Sequence, residues 1–319
     1  MIPPVRDRPQ RPVGVLLLLS VPIMLMASAC GTTRQPEEGR SGEDGPRRLA
    51  VLAPAAAEMV VELGAETQVV AVGDFVDWPP RLAELPRIGS YDAPNLERLL
   101  ELEVDLLVTA HSAAGQAAHR RIEGVGIAVL ELETETFEGV LRAFEELGEA
   151  LGRGARGRAA ADAVRERIAA LQRRTAGLTP RRVLYVAGNR PLYGAGPGSH
   201  IDRLITAAGG INVLADAPGP YPLIALEAVL ERRPEVIVDG SDNRPGARRG
   251  RQTGSWGHWD FLPAVTADRV WYVHPERLAV PGPRLPEMAE LLARLIHPEI
   301  FGAPTDEELG PLREAGRGR

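Results

Sequence analysis

The amino-acid sequence predicts an α/β fold of two lobes with mainly parallel sheets, joined by one long α-helix. Three observations predict it. Short apolar runs alternate with helical stretches, one unbroken helical stretch interrupts that alternation, and a pattern in the first half of the chain returns in the second. The 319 residues are enough for two domains with additional segments.

The N-terminus is typical of an export signal. Three arginines precede the apolar stretch 13–26, which is too short to span a bilayer comfortably. Small residues then lead directly to Cys30, the only cysteine of the chain. This pattern predicts a lipoprotein signal peptide over residues 1–29 and lipidation of Cys30; an ordinary cleavage site with an incidental cysteine is the alternative. A single cysteine also excludes an intrachain disulfide.

Residues 30–46 are rich in Gly, Glu, Pro and Arg and have no apolar periodicity, which predicts a flexible tether. The first α/β lobe is then predicted over residues 47–152. Its expected strands are Arg48–Ala53, Gln68–Val72, Asp105–Thr109 and Ile127–Leu130. Its expected helices are Ala56–Leu63, ended by Gly64, then Leu96–Leu102, and Phe137–Leu151, ended by Gly152. Strands separated by helices favour a parallel sheet, as in Rossmann-like folds.

Residues 153–177 predict the connecting helix. Between Ala155 and Leu171 there is no proline and only one glycine, and Ala160, Val164, Ile168 and Leu171 fall on one helical stripe. Gly177 and Pro180 end it.

A second α/β lobe is predicted over residues 178–303, because the pattern of the first lobe returns there. Leu96–Thr109 (LERLLELEVDLLVT) is echoed by Leu226–Asp239 (LEAVLERRPEVIVD), with five identical positions. Two such lobes predict a ligand-binding cleft between them. Residues 304–319 predict a loose tail.

Composition and motifs exclude several function classes. The formal net charge is −6 and the chain has no lysine, so we expect neither nucleic-acid binding nor a Walker A loop. Nucleophile-elbow and zinc-site motifs are missing from the sequence. The six histidines are scattered, with only His258 and His274 expected near the cleft. The loop 194–199 is interpreted as a cleft loop with Ser199 as helix N-cap, and a phosphate cradle is the alternative. No catalytic residue, metal site or cofactor is predicted.

Aromatic side chains in loops are the main indication of a ligand. Only 4% of residues are aromatic, yet several fall in Gly- and Pro-rich loops and not on core faces: Phe75, Tyr91, Tyr193, Tyr221 and Trp256. A ring in a loop loses solvation free energy unless something covers it, so these residues predict a large, flat or ring-bearing ligand. Structural packing of scattered aromatics is the alternative.

Glu97 and Glu227 occupy equivalent places in the repeat, each in the first turn of a short helix. A favourable interaction with the helix dipole explains a carboxylate there. The functional interpretation is a matched pair of surface charges, one per lobe, that face a two-fold partner.

A set of short motifs carries a resemblance to a known family. In the first half they are LAPAAAE (52–58), DWPP (77–80), LPRIG (85–89) and NLE (95–97); in the second, SHIDRL (199–204), AGGINV (208–213) and PGPRL (281–285). Together they resemble the ABC-importer binding proteins for cobalamin, iron-siderophores and haem, whose lobes are joined by a single helix. The likeness covers residues 48 to about 300.

The resemblance implies an extracytoplasmic protein that clamps a small molecule between its lobes and delivers it to an ABC permease dimer and its ATPase. A monomer is expected, held to the membrane by the lipid anchor predicted at Cys30. It implies that Glu97 and Glu227 dock onto the permease. Phe75, Tyr91 and Tyr221 match aromatic positions of the family's cobalamin site, and Tyr193 lies near another. One further aromatic is replaced by Ala110, which weakens the cobalamin assignment.

Other ligands and roles stay open at this stage. Arg277 and Arg284 could grip an anionic iron chelate or haem propionates, and His274 or a cleft tyrosine could ligate iron. Cobalamin or another corrinoid ranks first, then an iron-siderophore, then haem. A sensor or scaffold lipoprotein and a cleft metallo-enzyme are the alternatives of other classes.

Overall fold

The structure is a computed structural model that describes residues 48–242 and 250–312. The predicted signal peptide, Cys30 and the tether therefore lie outside the described residues. Four parallel strands form the first sheet, in the spatial order β2–β1–β3–β4. These strands are β1 (Leu49–Val51), β2 (Val69–Val72), β3 (Leu106–Ala110) and β4 (Ala128–Leu132). β1 is fully buried, as its uninterrupted apolar sequence requires.

Five helices connect and follow these strands: α1 (Pro54–Glu62), α2 (Pro80–Ala83), α3 (Leu96–Glu101), α4 (Gln116–Glu123) and α5 (Phe137–Ala150). Their ends follow local chemistry. Gly64 and Gly152 have φ of 70° and 67°, the left-handed conformation that glycine adopts most easily, just after α1 and α5. The side chain of Asn95 accepts a hydrogen bond from the Arg98 N–H and caps α3, as the sequence predicts.

The long helix α6 runs from Gly154 to Thr175, 22 residues or about 33 Å. Its buried stripe includes Val164, Ile168 and Leu171, three of the four predicted positions, whereas Ala160 is half-buried. α6 packs very closely on α5, because a Cβ at Gly157 would lie 2.4 Å from the Phe144 carbonyl oxygen.

The second sheet has six strands in the order β6–β5–β8–β10–β9, with β7 also paired to β5. They are β5 (Arg181–Asn189), β6 (Leu192–Gly194), β7 (Gly210–Asn212), β8 (Val236–Asp239), β9 (Gly250–Arg251) and β10 (Val270–Tyr272). The helices of this half are α7 (His200–Ala207), α8 (Leu226–Arg232), α9 (Pro263–Thr266), α10 (Leu285–Ile296), α11 (Pro298–Phe301) and α12 (Asp306–Leu309). β6 and β9 are antiparallel edge strands on an otherwise parallel sheet.

The repeat in the sequence corresponds to a repeat in the fold. α3 leads into β3, which pairs in parallel with β1, and α8 leads into β8, which pairs in parallel with β5. The predicted α/β fold of two lobes joined by α6 is therefore confirmed.

The two lobes share one hydrophobic core. A single cluster of buried side chains contains residues of β1, α5, α6, α7 and α10, so apolar packing continues from one lobe through the connecting helix into the other. Two smaller clusters lie in the second and first lobe respectively. Across residues 48–242 and 250–312, no helix is both long and apolar enough to cross a membrane.

The chain beyond Phe301 is more ordered than predicted as far as Leu312. Thr305 and Glu308 form a reciprocal capping box at the start of α12, and Arg294 of α10 binds the Glu308 carboxylate at 2.6 and 3.0 Å. These contacts attach α12 to the second lobe.

Candidate functional site

The carboxyl ends of the strands in the two sheets approach each other. Glu135 follows β4, and its backbone oxygen accepts a hydrogen bond of 2.9 Å from the N–H of His200, the first residue of α7. Ligands of open α/β sheets bind at the carboxyl ends of the strands. The loops on these two edges therefore define the candidate cleft.

On the edge of the first lobe, two aromatic rings form a pair. Phe75 follows β2, and its ring centroid lies 5.9 Å from that of Tyr91 at an interplanar angle of 34°. Tyr91 packs against two of the hydrophobic clusters, whereas Phe75 is 57% exposed. An exposed phenylalanine held by a packed neighbour presents a rigid apolar surface to a ligand.

On the edge of the second lobe lies a cavity of about 480 Å³. It is lined by Tyr185, Ala187, Tyr193, His200, Ile201, Tyr221, Gly240, Ser241, Pro275 and Ala279. Tyr193 and Tyr221 come from loops and from the edge strand β6, while Tyr185 comes from the central strand β5. The polar groups of this wall are three phenols, one imidazole and one hydroxyl.

His200 organises the wall. It is 2% exposed, and burial lowers its pKa to about 4, so the imidazole is neutral at neutral pH. Its Nε2 lies 3.3 Å from the Leu278 carbonyl oxygen, which can only accept, so Nε2 carries the proton. Its Nδ1 therefore accepts from the Tyr221 hydroxyl, also at 3.3 Å.

Two tyrosines of the cavity, Tyr185 and Tyr221, are held neutral as well. Burial raises the pKa of Tyr185 and of Tyr221, and the neighbouring carboxylates Asp239 and Glu135 act in the same direction on Tyr185 and Tyr221 respectively. Ser241 donates its hydroxyl hydrogen to Asp239 at 2.6 Å.

Trp256 does not belong to this site. It is 5% exposed, packs in the core of the second lobe, and donates its indole N–H to Asp239 at 3.0 Å. The prediction that Trp256 contacts a ligand is therefore corrected: the ring is covered by its own lobe. The sequence placed it in a loop, and that loop folds as a short 3₁₀-helix, Gly254–His258, whose tryptophan packs into the core of the second lobe.

The two candidate anion-binding arginines donate hydrogen bonds to other groups of the protein. Arg284 binds the carboxylate of Glu58 through two hydrogen bonds of 2.6 and 2.8 Å and the Glu276 carbonyl oxygen at 3.0 Å. Arg277 donates to the Gly310 carbonyl oxygen at 2.7 Å. The expectation that Arg277 and Arg284 grip an anion in the cleft does not fit these contacts.

The two histidines expected near the cleft, of which His274 was the candidate iron ligand, make local contacts. His258 is exposed, with Nδ1 3.1 Å from the Ser255 carbonyl oxygen, and His274 caps a 3₁₀-helix by accepting from the Glu276 N–H. Within the described part of the chain, no group of three or more His, Cys, Asp or Glu side chains is arranged to hold a metal ion.

The two candidate docking glutamates are equivalent in the structure. Glu97 and Glu227 are each the second residue of their helix, α3 and α8, and both are exposed. Each helix begins at the carboxyl edge of its sheet, because the chain returns along the helix to the amino end of the next strand, β3 or β8. Both carboxylates therefore lie at the rim of the cleft.

Sequence reasoning missed Tyr185, His200 and Ser241. Tyr185 reads as an ordinary core residue of an apolar strand, and Ser241 as a loop residue. His200 had one available signal: it directly follows Ser199, whose side chain caps α7 by accepting from the Asp202 N–H. A residue at the start of a helix on the carboxyl edge is a candidate for a cleft wall.

Two α/β lobes joined by one helix, with aromatic side chains on the edges that approach each other, fit a solute-binding protein. The chain belongs to the periplasmic binding protein family, whose match covers residues 49–275.

Individual relatives agree in fold and differ in ligand. The vitamin B12-binding protein of Vibrio cholerae is 28% identical over 244 residues, 76% of this chain and 86% of the relative. The crystal structure of a periplasmic vitamin B12-binding protein of Vibrio cholerae matches with a TM-score of 0.67 at 26% identity, covering 81% of this chain and 98% of that chain. A periplasmic haem-binding protein in complex with two haems matches with a TM-score of 0.66, also at 26% identity, covering 78% and 97%.

These relatives are binding proteins and not enzymes. Membership implies an extracytoplasmic location and delivery of a ligand to the permease of an ABC importer.

Proposed function

We propose that this protein captures cobalamin or another corrinoid in the cleft between its lobes and delivers it to an ABC permease dimer powered by its ATPase. The observation that carries the proposal is the pair of walls with aromatic side chains: Phe75 and Tyr91 on one sheet edge, Tyr193 and Tyr221 on the other. Such walls suit a broad macrocycle, and the similarity to vitamin B12-binding proteins supports the same ligand class.

A haem or an iron chelate is the second candidate, favoured by the tyrosines and by the likeness to a haem-binding protein. Both of these ligands are typically anionic. Among the residues that line the described cavity, none carries a guanidinium or ammonium group, and Arg277 and Arg284 have other partners. The corrinoid therefore ranks first.

A ligand panel tests the proposal on the soluble form that begins at Arg47. Cyanocobalamin, dicyanocobinamide, a ferric siderophore and haemin are each titrated by calorimetry and by thermal shift, since a ligand that binds only the folded state raises the melting temperature. We expect the two corrinoids to bind. Binding of haemin or the siderophore alone would refute the corrinoid assignment.

A matched pair of variants locates the binding surface. Phe75→Ser should weaken corrinoid binding by about thirtyfold or more, because burying roughly half of the ring's 150–250 Å² against the ligand is worth about 2–3 kcal/mol. The control is Phe261→Ser, a ring of similar exposure (53% against 57%). Phe261 precedes α9, which bonds to Pro234 at the amino end of β8, on the opposite edge of the sheet. Equal effects of the two substitutions would contradict the cleft assignment.

We propose that Glu97 and Glu227 dock onto cationic groups of the permease. The double variant Glu97→Arg/Glu227→Arg should bind ligand normally and abolish uptake. Glu101→Arg/Glu231→Arg, which changes the last turn of the same helices, is the control and should transport normally. Normal uptake by the first variant would exclude docking through these residues, and a sensor or scaffold role predicts that neither variant affects uptake.

We further propose that residues 1–29 are removed and that Cys30 is lipidated, with residues 30–46 as the tether to the membrane. Cys30→Ser should shift the protein from the membrane fraction to the soluble fraction and remove labelling by radioactive palmitate. Labelled, membrane-bound Cys30→Ser protein would refute the anchor.

A further inference from the structure

The cavity of the second lobe has a hydrogen-bonding pattern that selects among ligand groups. Two of its hydroxyl hydrogens are already used: that of Tyr221 points to His200 Nδ1, and that of Ser241 points to Asp239. Ser241 also accepts from the Asn189 side-chain amide at 2.9 Å. The oxygen of Tyr221 therefore presents lone pairs, and not a hydrogen, to a bound group.

The same cavity also holds possible donors. Tyr185 and Tyr193 both line the cavity, and burial raises the pKa of Tyr185, so its hydroxyl keeps its hydrogen at neutral pH. Gly240 leaves room for the Tyr185 hydroxyl, since a Cβ at that position would lie 2.7 Å from its oxygen. A bound group therefore meets an acceptor on one side and phenolic donors on the other.

Charge near the cavity disfavours an anion. Asp239 is 3% exposed and accepts the hydroxyl hydrogen of Ser241. Its charge acts to raise the pKa of Tyr185, and the charge of Glu135 in the first lobe acts to raise the pKa of Tyr221. A carboxylate placed there would be repelled by both and would offer no hydrogen to the Tyr221 oxygen. Sites built to hydrogen-bond a donor reject analogues that lack it, because a buried polar group is then left unpaired.

We infer that the cavity lined by Tyr185, Tyr193, His200, Tyr221 and Ser241 is a subsite for an uncharged primary carboxamide, which supplies both the N–H donor and the C=O acceptor that this wall needs. The inference rests on the proposed function and sharpens it. The corrin ring of cobalamin carries acetamide and propionamide arms, whereas haem carries two propionate carboxylates, so the subsite discriminates between the two ligand classes.

The test uses the wild-type protein and a chemical series. Mild acid hydrolysis of cyanocobalamin gives monocarboxylic acids in which a single amide becomes a carboxylate, and the separated isomers are titrated beside the parent compound. We expect at least one isomer to bind about tenfold or more weakly, as the loss of a buried hydrogen bond and the added charge require. The methyl ester of that isomer, uncharged but without N–H groups, should also bind more weakly than the amide.

Variants assign the effect to the cavity. Tyr221→Phe keeps the ring and removes the acceptor, so the preference for amide over acid should shrink several-fold. The control is Tyr272→Phe, which removes a hydroxyl that binds Ser255 and does not line the cavity. An unchanged preference in Tyr221→Phe, or an equal change in Tyr272→Phe, would assign the selection to another part of the cleft.

The outcomes separate the inference from the function on which it rests. If cyanocobalamin binds and every acid isomer binds within twofold of it, the subsite is refuted and the corrinoid function stands. An acid isomer that binds more tightly than the amide also refutes it. If neither corrinoid of the panel binds, the proposed function itself fails.

Discussion

An ion pair between the lobes gives the most demanding prediction. Glu58 lies on α1 of the first lobe and is 5% exposed, and Arg284 lies at the N-terminus of α10 in the second lobe with a side chain 20% exposed. Two hydrogen bonds of 2.6 and 2.8 Å join the guanidinium to the carboxylate. Replacing the cation by a side chain of similar length, Arg284→Met, leaves the carboxylate buried without its partner.

The size of the effect follows from burial. Removing one member of a buried ion pair typically costs 3–5 kcal/mol, because the remaining charge is uncompensated. Since Arg284 retains some contact with water and water can reach the site in the variant, we expect a loss of about 3 kcal/mol at neutral pH. The corresponding exposed pair, Arg167 of α6 with Glu287 of α10 at 2.6 Å, has side chains 45% and 53% exposed. Arg167→Met should therefore cost less than about 1 kcal/mol.

The stability loss caused by Arg284→Met should depend on pH with a definite sign. Burial raises the pKa of the Glu58 carboxyl, Arg284 lowers it, and Glu276 and Glu287 raise it. Without Arg284 the folded-state pKa rises further above the unfolded value of 4.5. A group with a raised folded pKa stabilises the fold below its unfolded pKa, and that contribution is lost as pH rises through the folded pKa. The deficit of Arg284→Met should therefore be small near pH 4.5 and grow towards pH 8.

Equilibrium unfolding in urea at pH 4.5, 6 and 8 measures these differences in the free energy of unfolding. The double variant Glu58→Gln/Arg284→Met removes the stranded charge and should recover most of the loss at pH 8. The reasoning is refuted if Arg284→Met costs no more than Arg167→Met, or if its deficit shrinks as pH rises.

Two further predictions concern single contacts. Gly188→Ala would place a Cβ 1.9 Å from Cε1 of Tyr193 and should displace that ring from the cavity, weakening corrinoid binding several-fold in calorimetry; Gly177→Ala, with no atom within 4 Å, should change nothing. The Arg294 and Thr305 hydrogen bonds hold the pKa of Glu308 at about 2. In urea, the free energy of unfolding of the wild type should therefore exceed that of Glu308→Gln above pH 4.5, and the difference should disappear as pH falls towards 2. A difference that persists at pH 2 would contradict this prediction.

Local patterns in the sequence predicted most of the fold. The ends of α1 and α5 at Gly64 and Gly152 and the cap of α3 at Asn95 depend on residues within one helical turn, so they are visible in the sequence. The antiparallel strands β6 and β9 were not expected, because two or three residues at a sheet edge carry no periodic signal.

The candidate site was only partly predictable, because a local pattern shows where a residue lies along the chain but not which distant residue it contacts. Phe75, Tyr91 and Tyr221 lie at the carboxyl edges because the loops that follow parallel strands lie there. Tyr193 is in the short edge strand β6, which follows the carboxyl end of β5. The partner of Arg284, by contrast, is Glu58, 226 residues away, and no local pattern records such a pair. Trp256 was assigned to the cleft on its loop position alone, but a ring beside a sheet edge can equally cover its own core.

His200 connects the rigidity of the molecule to its ligand site. Its backbone N–H joins the second lobe to Glu135 of the first, and its imidazole holds the Tyr221 hydroxyl at the cavity wall. Three residues further along α7, the Arg203 guanidinium lies 5.5 Å from the ring centroid of Phe137 in the first lobe. The contacts that fix the lobes therefore also fix the orientation of a binding group. A wall ordered before the ligand arrives loses little conformational entropy on binding, so a cleft of this design can gain affinity without a large closing motion.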